Sequence, residues 1–491
     1  MSTLALAVLV LSAPPASDAA ALAATIDGLV AAKLRAAELP PPTAVADDAT
    51  FFRRVHLTLA GRIPTAADAR AFLADPDPHK REREIDRLLG SAAHAGHLAA
   101  AWRAWLLPEA ATDPAVATTA PGFEAWVRTR VRAGQPYDQF VTELLAAPFG
   151  GSRPTTPDGD DPAAGPLAFF TAKGAAPENL AAATARVFMA VQMDCAQCHD
   201  HPFARWTRDQ FWGLAAFFGG LDRSGGTLRE KPGRRELLIP NTDRAVTATL
   251  PDDTEPEWRF KQSPRATLAG WLTAADNPYF ATAAVNRLWG FAFGVGLTDP
   301  VDDRHDTNPP SHPELLDALA RAFVASGYDT KLVLRAVCRS DTFQRPSTLA
   351  DPGHTDVRLF ARFPVQGLTP EQLADSFAAA TGGPADRRPF TDAFPLLGRR
   401  TEAPTTIAQS LALMNGPAVG AATTPAGSRT LVAVTTLPGL TPAERVECLY
   451  FAALGRPPTA RELARATAAD PPPYADLFWA LLNGIEFRTN H

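Results

Sequence analysis

Cysteine is scarce in this chain, with four residues in 491. Four thiols over such a length exclude a disulfide-built scaffold. Lysine is nearly as sparse, because most of the 47 basic residues are arginine, and no basic block gathers them. With a formal net charge of −6 and a sequence pI near 6.0, nucleic-acid binding has no electrostatic support. The arginine bias, beside abundant Ala and Pro, reads as a compositional habit and not as a site. No segment is long and apolar enough for a transmembrane helix. A Gly-rich phosphate loop, G-x-S-x-G and H-E-x-x-H are also missing. What is present is ordinary globular composition, 46% hydrophobic and 20% charged, over a length that implies two or more domains.

The first residues, MSTLALAVLVLSAPPASDAA, hold an apolar run from Leu4 to Leu11, then small residues and prolines. This is the layout of a signal peptide over 1–19, although no Lys or Arg precedes the run. The expectation is an exported protein of the periplasm or cell envelope.

Helix signals dominate the rest. The spacing predicts helices over 17–39, 47–60, 80–90, 92–107, 121–133, 137–147 and 177–193, with Thr65 capping another. The Pro/Gly/Asp-rich stretch 150–166 reads as a loop. Thr207 with Gln210, Ser311 with Glu314, Thr369 with Gln372 and Thr441 with Glu444 are helix-start signatures. RRELLIPNTDRAVTATLP alternates around turn residues and predicts a short hairpin. The fold class is therefore mainly α: two helical domains, 20–221 and 263–491, joined by a β-hairpin-containing linker at 222–262. VHLTLAGRIPTAADA (55–69) is echoed by LYFAALGRPPTAREL (449–463), a helix–corner–helix used twice. Trp102, Trp105, Trp206, Trp212, Trp271, Trp289 and Trp479, with Cys338 and Cys448, fall at apolar helical positions and are expected in the core.

VQMDCAQCHDHPFARW (191–206) is the chemical centre of the sequence. Cys195, Cys198 and His199 form C-x-x-C-H, the attachment pattern of c-type haem. Two thiols three apart reach the two vinyl groups, and the adjacent His reaches the iron. No Met lies suitably downstream: after Met193 the next is Met414, which leaves His305, His312 or His491 for the far side, or no ligand there at all. Cys195, Cys198, His199 and His201 also make a zinc ligand set. A Cys195–Cys198 disulfide and a purely structural turn complete the alternatives.

A second stretch, DPVDDRHDTNPPSHPELL (299–316), crowds Asp302, Asp303, His305 and Asp306 ahead of a helix. Such a cluster suits a cation or acid–base work, or simply a helix N-terminus that favours acids. His94 and His97 lie three apart on a helix and are expected at the surface.

The chain resembles the planctomycete cytochrome-like family, in which a C-x-x-C-H domain of unknown function precedes a planctomycete-type C-terminal domain of unknown function. The resemblance rests on FFRRVHLTLAGRIPTAADARAFLAD, YDQFVTELLAA, ARVFMAVQMDCAQCHDHPFARWTRDQFWGLAAFF, the long segment from DNPYFATAAVNRLWG to VASGYD, LTPEQLADSFAAATG, SLALMNGPAV and FWALLNGIEFRTNH. It implies that Cys195, Cys198, His199, His201 and Pro202, with Asp302, Asp303 and Asn308-Pro309-Pro310-Ser311, belong to the family pattern. It also implies a short form, without an extra cytochrome-like module. Where relatives have an acidic, cysteine-containing stretch, this chain has TEAPTTIAQSLALMNG. The expectation is an exported, haem c-binding redox protein with a partner in the envelope or a redox partner. The alternative is an envelope scaffold whose Cys/His cluster holds zinc or a disulfide.

Overall fold

Side-chain caps set most helix starts in the computed structural model, which describes residues 17–39, 42, 44–149, 164–223, 228–231, 233–348, 356–393, 400–401, 407–469 and 471–491. Asp47 accepts from the Thr50 amide and opens helix Asp48–Leu59. Reciprocal capping boxes open Arg208–Ala216, Pro370–Thr381, Pro442–Leu454 and Ala460–Ala466. A cap of this kind contributes about 1 kcal/mol, enough to fix where a helix begins. The strands among the described residues form three two-stranded pieces. The expected hairpin pairs Glu236–Leu238 with Ala245–Thr247, and Leu237 stands opposite Val246. The architecture is mainly α.

Several helix boundaries differ from the sequence expectation. Pro114–Ala133 begins at the Asp113 cap and carries Pro121 inside it. Proline costs an interior helix one hydrogen bond, and here it does not mark the start. Ser311 does not cap Pro313–Ala325. His312 occupies the cap position without a side-chain bond, because the Ser311 amide is committed to Leu297 O and its hydroxyl to His312. Helix Pro177–Thr184 does not run to 193. It passes into a π-turn over Ala185–Met189 and stops at Ala190, whose φ is +57°. Residues 164–166, read as loop, open helix Ala164–Ala172; 150–163 and the signal residues 1–16 lie outside the described residues.

One apolar core draws on residues from Leu22 to Phe363, with Phe451, and runs through the hairpin segment, which contributes Ile239 and Ala248. A second gathers Leu373 to Phe487. Helix Asp48–Leu59 serves both: Phe51, Phe52, Val55 and Leu59 enter the first, Leu57 the second. Between these faces stand two buried arginines. Arg53 donates to the carbonyls of Ala453, Glu486 and Phe487 at 2.9–3.1 Å. Arg54 donates to Phe343, Arg345 and His491 and lies 4.0 Å from the centre of the Phe363 ring. All of these acceptors but His491 O sit at helix C-termini, where backbone acceptors are unpaired and the dipole is negative. Burial pushes Arg53 down to about 10 and Arg54 to about 9, so both stay charged at neutral pH.

The sequence echo is a structural pair. Gly61 and Gly455 turn the two corners at φ +71° and +73°. The corners face each other: a Cβ on Gly455 would stand 3.5 Å from Pro64 Cγ, and Arg70 lies over the Phe451 ring at 4.8 Å.

His94 and His97 are not at the surface. Each turn of Ala92–Leu106 presents small alanines, so the sequence does not mark its buried face. His94 is fully buried with Nδ1 on Leu59 O, and His97 is half-buried, its ring tilted against Phe291 at 5.0 Å. Desolvation pushes His94 to about 4 and His97 to about 3, and does the same to His312 and His491, both to about 4. Unfolding restores a value near 6.5, so the unfolded chain binds protons that the native one refuses. Stability from these four groups is complete above about pH 6.5 and is lost as pH falls through 4. Urea midpoints measured from pH 7 to 4 should therefore fall steadily; a midpoint that stays level or rises over that window contradicts the burial.

Candidate functional site

The π-turn delivers the chain to the C-x-x-C-H motif. Met189 and Met193 are both fully buried, so neither is placed to bind an iron at the surface. Asp194–Gln197 forms a single 3-10 turn. Ala196 plugs it into the core, while Cys195 and Cys198 on either side are exposed and free. Three anchors hold the turn. Arg186 bonds both oxygens of Asp194 at 2.7 and 2.8 Å, Trp212 Nε1 donates to Gln197 O at 3.0 Å, and the Cys198 amide returns to Cys195 O.

The two histidines that follow are fixed in opposite ways. His199 Nδ1 lies 2.7 Å from Asp200 O. A carbonyl only accepts, so Nδ1 carries the proton and the exposed Nε2 offers its lone pair. A metal-ligating His is oriented in this manner by its second ring nitrogen. His201 Nδ1 faces the amides of Phe203 and Ala204 at 3.2 and 3.0 Å. An amide only donates, so Nδ1 must accept, and neutral His201 is protonated on Nε2. His201 thus closes the turn, helped by its own amide on Trp206 O at 2.8 Å. The loop is tied to the next helix by Asp200 Oδ1 accepting from the Arg208 amide.

The second sequence cluster is divided by its own loop. Asp302 lines a cavity of about 360 Å³ with His97, Trp105 and Arg287. His305 and Asp306 line a different cleft, of about 410 Å³, whose opposite wall is Ala204, Arg205 and Trp206. Asp303 Oδ1 is 3.7 Å from His305 Nε2, and His305 Nδ1 meets Thr307 Oγ1 at 2.8 Å. Among the described residues, no group of three or more His, Cys, Asp or Glu side chains is placed to hold a metal ion. Of the three histidines considered for a far-side ligand, His305 shares a cleft with the motif's C-terminal end. His312 is buried against Phe360, and His491 is bound through its carbonyl to Arg54.

Sequence reasoning passed over Arg205, Arg304 and Tyr279, which shape that cleft. The usable signal was position: Arg205 closes the cysteine segment and Arg304 stands inside the acidic one.

The thiols separate cleanly by environment. Burial pushes the Cys338 thiol far up, and Cys448 is half-buried beside Arg70. In protein carrying nothing on its thiols, a disulfide reagent should label Cys195 and Cys198 promptly and Cys338 only after unfolding. Loss of the prompt phase in C195A/C198A checks the assignment; a prompt phase that survives the double substitution refutes it.

Residues 25–223 match the family model described as PSCyt2, protein of unknown function (DUF1549). Residues 264–395 match the one described as PSD1, protein of unknown function (DUF1553). No curated protein and no solved structure matches the chain. The chain therefore pairs two domains of unknown function, in the order that the planctomycete-type resemblance implies.

Proposed function

We propose that this chain is an exported protein that carries haem c at Cys195 and Cys198, with His199 as the iron ligand, and that it works in electron transfer in the envelope. The observation that carries this reading is the His199 Nδ1 contact with Asp200 O, which leaves Nε2 free beside two exposed thiols. Each thiol adds across one vinyl group, its hydrogen going to the vinyl carbon, so attachment needs both sulfurs unpaired and accessible. The haem would supply one-electron chemistry. The protein supplies a rigid seat: Asp194 held by Arg186, Ala196 in the core, and Trp212 on the turn's last carbonyl. The apolar run Leu4–Leu11 supports export, and no helix among the described residues is long and apolar enough to cross a membrane.

The zinc set Cys195, Cys198, His199 and His201 needs His201 as a ligand, and its Nδ1 is occupied by two amides. The disulfide alternative leaves the orientation of His199 without a role.

The test is haem staining after denaturing electrophoresis of protein made with a haem-attachment system. Wild type should keep a coloured band, C195A/C198A should be colourless, and H201N should stay coloured because His201 ligates nothing. A colourless wild type, or one bound zinc per chain that H201N abolishes, would contradict the proposal.

A further inference from the structure

Nothing assigns a ligand to the cleft of about 410 Å³ between the end of the cysteine segment and the loop at 304–310. Its size falls in the range of small-molecule sites, roughly 300–1,000 Å³. Two guanidinium groups define its chemistry. Arg205 donates to the Tyr279 hydroxyl, and its guanidinium carbon lies 5.2 Å from the centre of the Trp206 ring. Arg304 Nη1 donates to Thr282 Oγ1 at 2.9 Å, while its amide is tied to Ala190 O at 2.8 Å. Tyr279 and Thr282 are three residues apart at the start of helix Phe280–Phe293, where side chains at i and i+3 share a face. Both arginines therefore rest on the first turn of one helix, at the positive end of its dipole.

Among the described residues neither arginine forms an ion pair, and the Tyr279 and Thr282 hydroxyls are their side-chain hydrogen-bond partners. Elsewhere in this fold Arg103, Arg130, Arg265 and Arg456 are each paired to a carboxylate. Here two cations are held in place by neutral hydroxyls, which orient them without neutralising them. The carboxylate that lines the cleft, Asp306, is exposed. The remaining walls include Val191, Trp206, Pro309 and Pro310.

We propose that this cleft binds an oxyanion carried on a small flat body, the oxyanion between Arg205 and Arg304 and the body against the Trp206 and proline walls. Guanidinium forks suit carboxylate, phosphate and sulfate alike, so the oxyanion is the shared chemistry. The site is separate from haem attachment, because neither Cys195 nor His199 lines the cleft.

Calorimetric titration of the full chain with phenyl phosphate, phenyl sulfate and benzoate tests this, with phenol as the neutral counterpart. At least one of the three anions should bind saturably at one site, and phenol should not. R205Q and R304Q should each weaken that binding by about tenfold or more, the scale of one lost charged hydrogen bond. R388Q, on an exposed arginine elsewhere, should leave it unchanged. Unchanged melting temperatures exclude misfolding as the cause, and R205Q, at an exposed position, keeps the test valid if R304Q does not fold. Saturable binding by none of the anions, equal binding of phenol, or wild-type affinity in folded R205Q overturns the proposal. A negative haem stain leaves these outcomes unaffected, so the two readings fail separately.

Discussion

Arg53 and Arg54 stand side by side in a helix whose apolar residues feed two cores, and six carbonyls from the second half of the chain converge on them. Each guanidinium takes over backbone acceptors, most of them at helix ends, that would otherwise be unpaired. Removing either would leave several such acceptors without a donor, at about 1–3 kcal/mol for each unsatisfied group. Among the described residues no Asp or Glu side chain forms an ion pair with either guanidinium, so the backbone oxygens are what make their burial tolerable. This clamp explains why the halves of the fold cannot be treated as beads on a string. Residues 48–59 belong to the first family match, yet they fasten the last residues of the chain.

The same logic sets the candidate site. Helix Phe280–Phe293 carries Arg287, which donates to Arg186 O at 3.2 Å, while Arg186 in turn holds Asp194. The cysteine turn is thus seated on a helix from the other half of the sequence. Ala196 faces inward and the two thiols outward because the turn is short and its neighbours are tied down. The loop at 299–310 is pinned by Arg304 on Ala190 O and by Asn308 Nδ2 on Asp303 O at 2.7 Å. That pinning puts Asp302 into one cavity and His305 with Asp306 into another, so what looks like one cluster in sequence is split in two.

Local chemistry was legible in the sequence, and non-local chemistry was not. Thr207, Thr369 and Thr441 read correctly as capping boxes because the partners lie three residues away. Ser311 misled for the opposite reason: its amide and hydroxyl were claimed by Leu297 and His312. The π-turn at 185–189 packs against helix Phe280–Phe293, a contact that no periodicity in 177–193 records. His94 and His97 sit in an alanine-rich helix whose polar and apolar faces look alike. Reading arginine as a compositional habit hid both the clamp and the cleft, although FFRRV, two charges inside an apolar run, was the available clue. The C-x-x-C-H motif was plain in sequence, but the opposite orientations of His199 and His201 needed the backbone around them.

Those orientations are where the account is most exposed. Long-range proton–nitrogen correlation spectra of haem-free, metal-free protein, with labelled histidine, report which ring nitrogen of each neutral imidazole holds the proton. The account predicts His199 protonated at Nδ1 and His201 protonated at Nε2. Finding His199 protonated at Nε2, or His201 at Nδ1, would contradict it, because the free ligand position beside the two thiols would then be gone or would belong to the other histidine.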